Sequence, residues 1–372
     1  MIKVESLSAE WITERSRKFG KDPTIIEGMI HAIYLLECLK KSGLDFIFKG
    51  GTSLILLLDQ PKRFSVDIDI ILNPSIKKPD LEGYLLRIIE SGIFIQMELD
   101  QRRSYQPGIP KAHYKFFYES NFPTRDRSGY TISNPQREIL LDIVFAENPY
   151  SVIVERPIQT EWLLPAGELI KVWLPDVNSI VGDKLTAFAP NTTGVPYGVE
   201  KEKEIMKQLF DIGCLFDYIT DIEAVKETFN NCVRSEIEYR PERKIDSSDQ
   251  VLKDMIETSL MISRIVNLSS SETRQELKEI YAGINQFRHY VFKGTFGLMD
   301  AKVASSKAAF LATIILMDFR GKMPKFNTNI PLAEFLITHP DYNILNKRLK
   351  FVAQGEALYY WSQTIRLLHP DK

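Results

Sequence analysis

Cysteine and histidine are scarce in this chain, three of one and five of the other in 372 residues. Cys38, Cys214 and Cys232 stand far apart, so neither a disulfide framework nor a thiolate metal site is encoded, and buried thiols in a reducing compartment are expected. His31, His113, His289, His339 and His369 are scattered, and none pairs with cysteine at zinc spacing. An excess of one charge is missing too. The 47 lysines and arginines against 49 aspartates and glutamates leave a net −2, so a polyanion would have to dock on a local patch rather than follow a global positive field. No apolar run reaches the ~18 residues that a membrane span needs. The first residues lack the basic start and apolar core of a signal peptide. A cytoplasmic protein with no membrane partner is expected.

What is present suits a globular chain with a sizeable core: 44% hydrophobic and 26% charged residues. Asp22 can cap a helix and Pro23 suits its first position, with Ile26, Met29, Ile30, Ile33 and Leu36 at helical spacing up to about Lys41. Gly43 stops it. The run Phe46-Ile47-Phe48 reads as a buried strand, broken by Gly50-Gly51, with a short helix over Thr52 to Leu58. Further strands are expected at 67–72, 93–99, 113–118, 138–145 and 169–174. Beyond about residue 180 strand signals nearly vanish. Pro190 to Gly198 reads as a loop and natural hinge, and Glu236–Asp249 as an exposed polar loop. Helical patterns run over 201–219, 221–233, 249–266, 271–291, 302–318, 331–337 and 354–368. We therefore expect an α+β chain: a mixed-sheet catalytic domain with an N-terminal helix over 1–195, then an α-helical C-terminal domain over 196–372.

The segment Arg63-Phe64-Ser65-Val66-Asp67-Ile68-Asp69-Ile70-Ile71-Leu72 carries the most chemistry. Strand side chains alternate, so Val66, Ile68, Ile70 and Leu72 face a core while Asp67 and Asp69 share the other face. Aspartate is disfavoured in strands, so two of them call for a reason. Unscreened, two such charges repel by about 4 kcal/mol at ~4 Å and an effective dielectric near 20, and a divalent cation reverses that sign. In Glu138–Phe145, Ile139, Leu141, Ile143 and Phe145 form an apolar face and Asp142 lies opposite. Neighbouring strands would join Asp142 to Asp67 and Asp69 as a three-carboxylate set suited to Mg²⁺ or Mn²⁺. A strand edge charged for solubility gives the same spacing. The glycine turn shifts the balance. Gly50 and Gly51 let backbone approach a phosphate, the next helix offers free N–H groups, and Thr52 and Ser53 add hydroxyls.

A glycine turn, an Asp-x-Asp strand and a later strand carboxylate resemble the DNA polymerase β-like nucleotidyltransferase superfamily. Phe48-Lys49-Gly50-Gly51-Thr52-Ser53-Leu54 followed by Arg63–Asp69 is more closely similar to the AbiEii/AbiGii toxin family. That family includes abortive-infection toxins and the MenT toxins of type IV toxin–antitoxin systems. The resemblance covers about the first 220 residues. It implies that Asp67, Asp69 and Asp142 bind metal, and that Gly50, Gly51, Thr52 and Ser65 lie at the nucleotide. Through Gly182-Asp183-Lys184-Leu185-Thr186-Ala187 and Lys207-Gln208-Leu209-Phe210-Asp211, it implies that Lys184 contacts phosphates and Asp211 helps form the pocket. The stretch Lys201-Glu202-Lys203-Glu204 is less basic than the family pattern. The implied reaction transfers NMP from an NTP to an acceptor hydroxyl, the tRNA 3′ end being the favoured acceptor. Growth inhibition, phage defence and a cognate antitoxin, in contact or not, come with the family. Transfer to a protein side chain and a nucleotide-binding regulator without transfer activity are the rival readings. Basic residues at Arg234, Arg240, Arg243 and Lys244, at Arg320, Lys322 and Lys325, and at Lys347, Arg348 and Lys350 fit either an RNA-binding face or a solvated surface. Tyr359, Tyr360 and Trp361 are expected in the core.

Overall fold

Ser8 accepts a hydrogen bond from the Trp11 N–H at 3.2 Å and so starts α1 (Ala9–Phe19), which ends at the left-handed Gly20. The Trp11 indole N–H donates to the Trp162 carbonyl at 2.7 Å, a tertiary anchor that local sequence does not announce. Asp22 caps α2 (Pro23–Lys41) through the Thr24 N–H at 2.8 Å, with Pro23 in its first turn as expected. The structure, a computed structural model, describes residues 1–125, 128–266 and 274–370, and divides into two compact units, Met1–Asp176 and Val177–Lys372.

The first unit continues with β1 (Ile47–Lys49), α3 (Gly50–Leu57), β2 (Ile68–Leu72), α4 (Lys78–Glu90), β3 (Gln96–Leu99), β4 (Lys111–Glu119), β5 (Thr124–Arg125), β6 (Thr131–Ile132), β7 (Gln136–Phe145), β8 (Ile153–Pro157) and β9 (Lys171–Pro175). Seven strands form one mixed sheet in the order β3-β4-β7-β2-β1-β9-β8. The pairs β2–β7 and β1–β9 are parallel, the others antiparallel. Ile68, Ile70, Leu72, Ile139, Leu141 and Ile143 are buried, as the alternation predicts. The apolar α2 packs against β2, β7 and α4. Every expected strand is present with its ends shifted by a few residues. The edge strand β8 was not announced by the pattern, because its residues are mostly solvent-facing and it ends at Pro157.

The second unit is helical: α5 (Val177–Ala187), α6 (Glu202–Leu215), α7 (Ile222–Tyr239), α8 (Ser248–Arg264), α9 (Gln275–Phe287), α10 (Leu298–Leu316), α11 (Ile344–Leu349) and α12 (Glu356–Leu368). The fold class is thus α+β, as expected. The first residues of the helix expected over 271–291, namely 271–273, lie outside the described residues. The expected 331–337 segment is one short 3-10 turn, Leu332–Phe335. Helix α10 is the centre of this unit, packed against α6, α8, α9 and α12. Ala301, Ala304, Ala308, Ala309 and Ala312 are buried along it, small side chains that let neighbours approach. Tyr359, Tyr360 and Trp361 are buried in the core, the expected place.

Two loop expectations are corrected. The stretch 190–198 is fastened rather than hinged. The buried Asp254 carboxylate accepts from the Asn191 N–H at 2.9 Å, the Asn191 amide at 2.7 Å and the Thr192 hydroxyl at 2.9 Å. Arg240 donates to the Thr193 carbonyl and Arg243 to the Thr192 carbonyl, so these two arginines satisfy loop carbonyls instead of offering a free basic face. Nor is 236–249 an open loop: α7 runs to Tyr239, a 3-10 turn covers Pro241–Arg243 and α8 begins at Ser248. Among the described residues no helix is long and apolar enough to cross a membrane.

Candidate active site

The sheet register decides which polar side chains share a face. His113 on β4 is the register partner of Asp142 on β7, Asp142 that of Asp69 on β2, and Asp69 that of Lys49 on β1. Four neighbouring strands therefore carry one straight row, His113–Asp142–Asp69–Lys49. Register partners point to the same face and adjacent strands lie about 4.8 Å apart. The two central carboxylates thus stand side by side with a basic residue at each end. Asp67 lies two residues before Asp69, next to the start of β2. Asp67, Asp69 and Asp142 are each partly exposed, flanked by buried Ile68, Ile70, Leu141 and Ile143.

The glycine turn is shaped around this row. Gly50 has φ +76°, a left-handed conformation that side chains rarely adopt. A Cβ there would stand 2.1 Å from the Asp69 Oδ2, so glycine is what lets that carboxylate lie against the start of α3. A Cβ on Gly51 would stand 2.1 Å from the Nη2 of Arg63. Arg63 is buried and donates to the Phe64 carbonyl at 3.0 Å, which suits the structural role of a guanidinium filling the space glycine leaves. Thr52 donates its hydroxyl to the Asp67 carbonyl at 2.5 Å and Ser53 to the Gly50 carbonyl at 2.7 Å. Both hydroxyls tie the turn to itself and to the Asp67 backbone. Ser65 is buried in the stretch leading to β2.

One residue of the row escaped the sequence reading. The His113 Nδ1–H donates to the Asp142 Oδ1 at 2.5 Å, and the Arg103 Nη2 approaches the Asp142 Oδ2 at 4.0 Å. His113 shares its face of β4 with Lys111 and Lys115, so the alternation was visible, but which carboxylate lay opposite depended on pairing across 29 residues.

Lys184 on α5 and Asp211 on α6 belong to the second unit and meet there. The Lys184 Nζ lies 3.1 Å from the Asp211 Oδ2 and donates to the Gln208 Oε1 at 3.0 Å. Their side chains are 8% and 2% exposed. The partner of Lys184 is thus Asp211. A desolvated pair of this kind is held by geometry, since each charge left alone would be costly.

A model of the AbiEii family, described as nucleotidyl transferase AbiEii toxin of a type IV toxin–antitoxin system, matches residues 34–291. The chain belongs to this family. The match covers more than half of the chain and runs well beyond the roughly 220 residues over which the motifs are recognisable, through α9 and on to Val291. No curated protein matches the chain. Family membership carries nucleotidyl transfer and a cognate antitoxin as coarse properties.

The donor chemistry of the row fits a hard divalent cation. Carboxylate oxygens are its preferred ligands, and Mg²⁺ is usually held by one or two carboxylates together with substrate phosphates rather than by an all-protein cage. Among the described residues no three His, Cys, Asp or Glu side chains form such a cage. Asp69 and Asp142, in register on adjacent strands, offer two such carboxylates.

Proposed function

We propose that this chain transfers NMP from an NTP to a hydroxyl of RNA, the tRNA 3′ end being the favoured acceptor, and that the transfer inhibits growth as the toxin of a type IV pair. The observation that supports it is the cross-strand pairing of Asp69 with Asp142 beside a glycine whose missing side chain makes room for Asp69. Two like charges on adjacent strands are unfavourable unless a cation is shared. Asp67, Asp69 and Asp142 would hold Mg²⁺ or Mn²⁺. When bound, the ion neutralises triphosphate charge and makes the acceptor hydroxyl more acidic.

The chain's own groups supply the rest. Backbone N–H groups in the first turn of α3 have no helical partner and can receive phosphate oxygens. Asp142, oriented by His113, accepts the acceptor proton. An acceptor oxygen–Pα bond forms, the bond from Pα to the bridging oxygen breaks, and pyrophosphate leaves with the electron pair. The family resemblance assigns Lys184, which the second unit holds against Asp211 and Gln208, to the balancing of phosphate charge.

The test is transfer of each α-³²P NTP with Mg²⁺ into total tRNA and into protein, comparing wild type with Asp69→Asn. Label in RNA that falls by about 1000-fold or more in the variant, whose circular dichroism is unchanged, is the expected result. Label in protein alone, or NTP binding by folded protein with no label anywhere, overturns the RNA-transfer reading.

A further inference from the structure

Beyond the segment matched by the family, the helical unit carries a second group of cations that the transfer chemistry does not use. Between Tyr342 and Gly355 the chain has Lys347, Arg348 and Lys350 and no carboxylate. Lys347 and Lys350 are exposed, Arg348 partly so. Phe351 follows with 83% of its surface exposed, more than any other large hydrophobic residue among those described. The Lys350 Nζ sits 4.7 Å from the centre of the Phe351 ring. An exposed phenyl ring beside an ammonium group is costly to keep in water, yet it offers a flat face for a planar ring.

A third feature is Lys302 on α10. It is 2% exposed, and its ammonium makes no ion pair among the described residues. Burial, and then the charge of the nearby Arg348, push its pKa down. A buried lysine is normally matched by a carboxylate. This one has a second cation as its charged neighbour, which is the arrangement that an incoming anion relieves. The backbone next to the ring is also unusual. Ala353 and Gln354 have φ +46° and +59°, the left-handed region that non-glycine residues rarely adopt, and Gly355 follows at +96°. Backbone held this way persists where surroundings over-determine it and recurs at ligand sites. The turn ends the chain's run at Phe351 and directs it into α12.

We propose that Arg348, Lys347, Lys350 and Phe351 form a docking site for single-stranded RNA, with phosphates on the three cations, one base stacked on Phe351, and the charge of the buried Lys302 near Arg348 adding to the attraction. It deepens the RNA-acceptor reading above by naming where an acceptor strand is held. Single strands suit the site because an unpaired base can turn its face to the ring, whereas bases in a duplex are already stacked. The contacts are to phosphate and to a π face, so binding has little sequence preference and strong salt dependence.

The experiment is fluorescence anisotropy of a fluorescein-labelled single-stranded RNA oligonucleotide with the full chain, without NTP or divalent ion, over a salt series. Phe351→Ala is expected to weaken binding about ten-fold. Lys347→Ala with Arg348→Ala is expected to weaken it further and to lower the slope of log K against log salt by about 0.7 per lost phosphate contact. Lys302→Met separates binding from folding. Removing an unpaired buried cation should raise the melting temperature while weakening RNA binding, whereas a structural lysine would lower the melting temperature on replacement. Wild-type affinity and salt slope in all three variants overturn the proposal, as does binding confined to duplex RNA. Transfer into RNA with unchanged binding in these variants sinks the docking site alone. Lost binding in the variants from a protein that labels no RNA sinks the transfer reading alone.

Discussion

Two clusters of charge, one in each unit, are built in opposite ways. In the sheet unit, Asp69 and Asp142 stand side by side, partly exposed, with a basic residue at each end of the row. In the helical unit, Lys184 and Asp211 are closed on each other at 3.1 Å and nearly out of water. The first arrangement leaves like charges adjacent and open to a ligand. The second spends its charges on one internal contact. A carboxylate proposed to take an outside cation and a carboxylate already paired differ in what their removal should do: loss of transfer without loss of fold in one case, loss of stability in the other.

The largest expected effect breaks the closed pair. Lys184→Met leaves Asp211 buried without its cation, and should cost about 3–5 kcal/mol in denaturant unfolding. Adding Asp211→Leu removes the orphaned charge and should return most of that loss, because a buried ion pair can be replaced by apolar groups of similar volume. If Lys184 also balances phosphate charge, transfer stays low in the double variant although stability returns. Recovery of both would make the pair purely structural.

Next in size is Gly50→Ala, which attacks the open row without touching a charge. The new methyl group would stand 2.1 Å from the Asp69 Oδ2 in a left-handed backbone. Either the carboxylate or the turn must move, and a shift of about 1 Å in a reacting group can cost on the order of 100-fold. Gly51→Ala presses instead on the end of the Arg63 side chain, so transfer should fall less. Equal losses for the two, measured as kcat, would show that the turn acts as a whole rather than through Asp69.

The contrast between the units also explains what the sequence made legible. Strands β2 and β7 could be read because alternation is local: apolar residues at every second position leave Asp67, Asp69 and Asp142 on the other face whatever the neighbours are. Lys184 and Asp211 were found through the family motif, and their mutual contact emerges only when α5 and α6 pack. His113 was invisible for the same reason in reverse. A lone histidine on an alternating strand acquires meaning when a partner strand brings Asp142 opposite it. Helix α1 depends on Trp11 reaching Trp162, and the fastened loop at 190–198 on Asp254 and two arginines distant in sequence. In each case the deciding contact is long-range.

His113 supplies a smaller effect on the open row. Groups that orient a ligating side chain typically matter by about 10–100-fold in affinity or activity. His113→Ala should lower transfer by that much and raise the Mg²⁺ concentration needed, with little change in NTP KM. His113→Asn, which keeps a donor for the Asp142 oxygen, should recover part of the loss. A KM change alone, or no rescue by asparagine, would mean that the histidine does not act through Asp142.

The smallest effect tests whether the sheet unit has a closed titratable group of its own. His31 lies inside α2, stacked on Tyr118 with ring centres 3.7 Å apart, and its Nδ1–H donates to the Glu27 carbonyl at 2.9 Å. Burial lowers its pKa from 6.5 to about 4, more than the carbonyl contact raises it. The unfolded chain therefore binds the proton more readily than the folded one, and stability is complete above the unfolded value and drains as pH falls toward the folded one. By about pH 6 the loss should be about 1 kcal/mol, growing further below. His31→Phe keeps the stack on Tyr118 and removes the proton site, so the slope of unfolding free energy against pH between about 6.5 and 4 should flatten by this one group's share. An unchanged slope in His31→Phe would place the acid sensitivity of the sheet unit elsewhere.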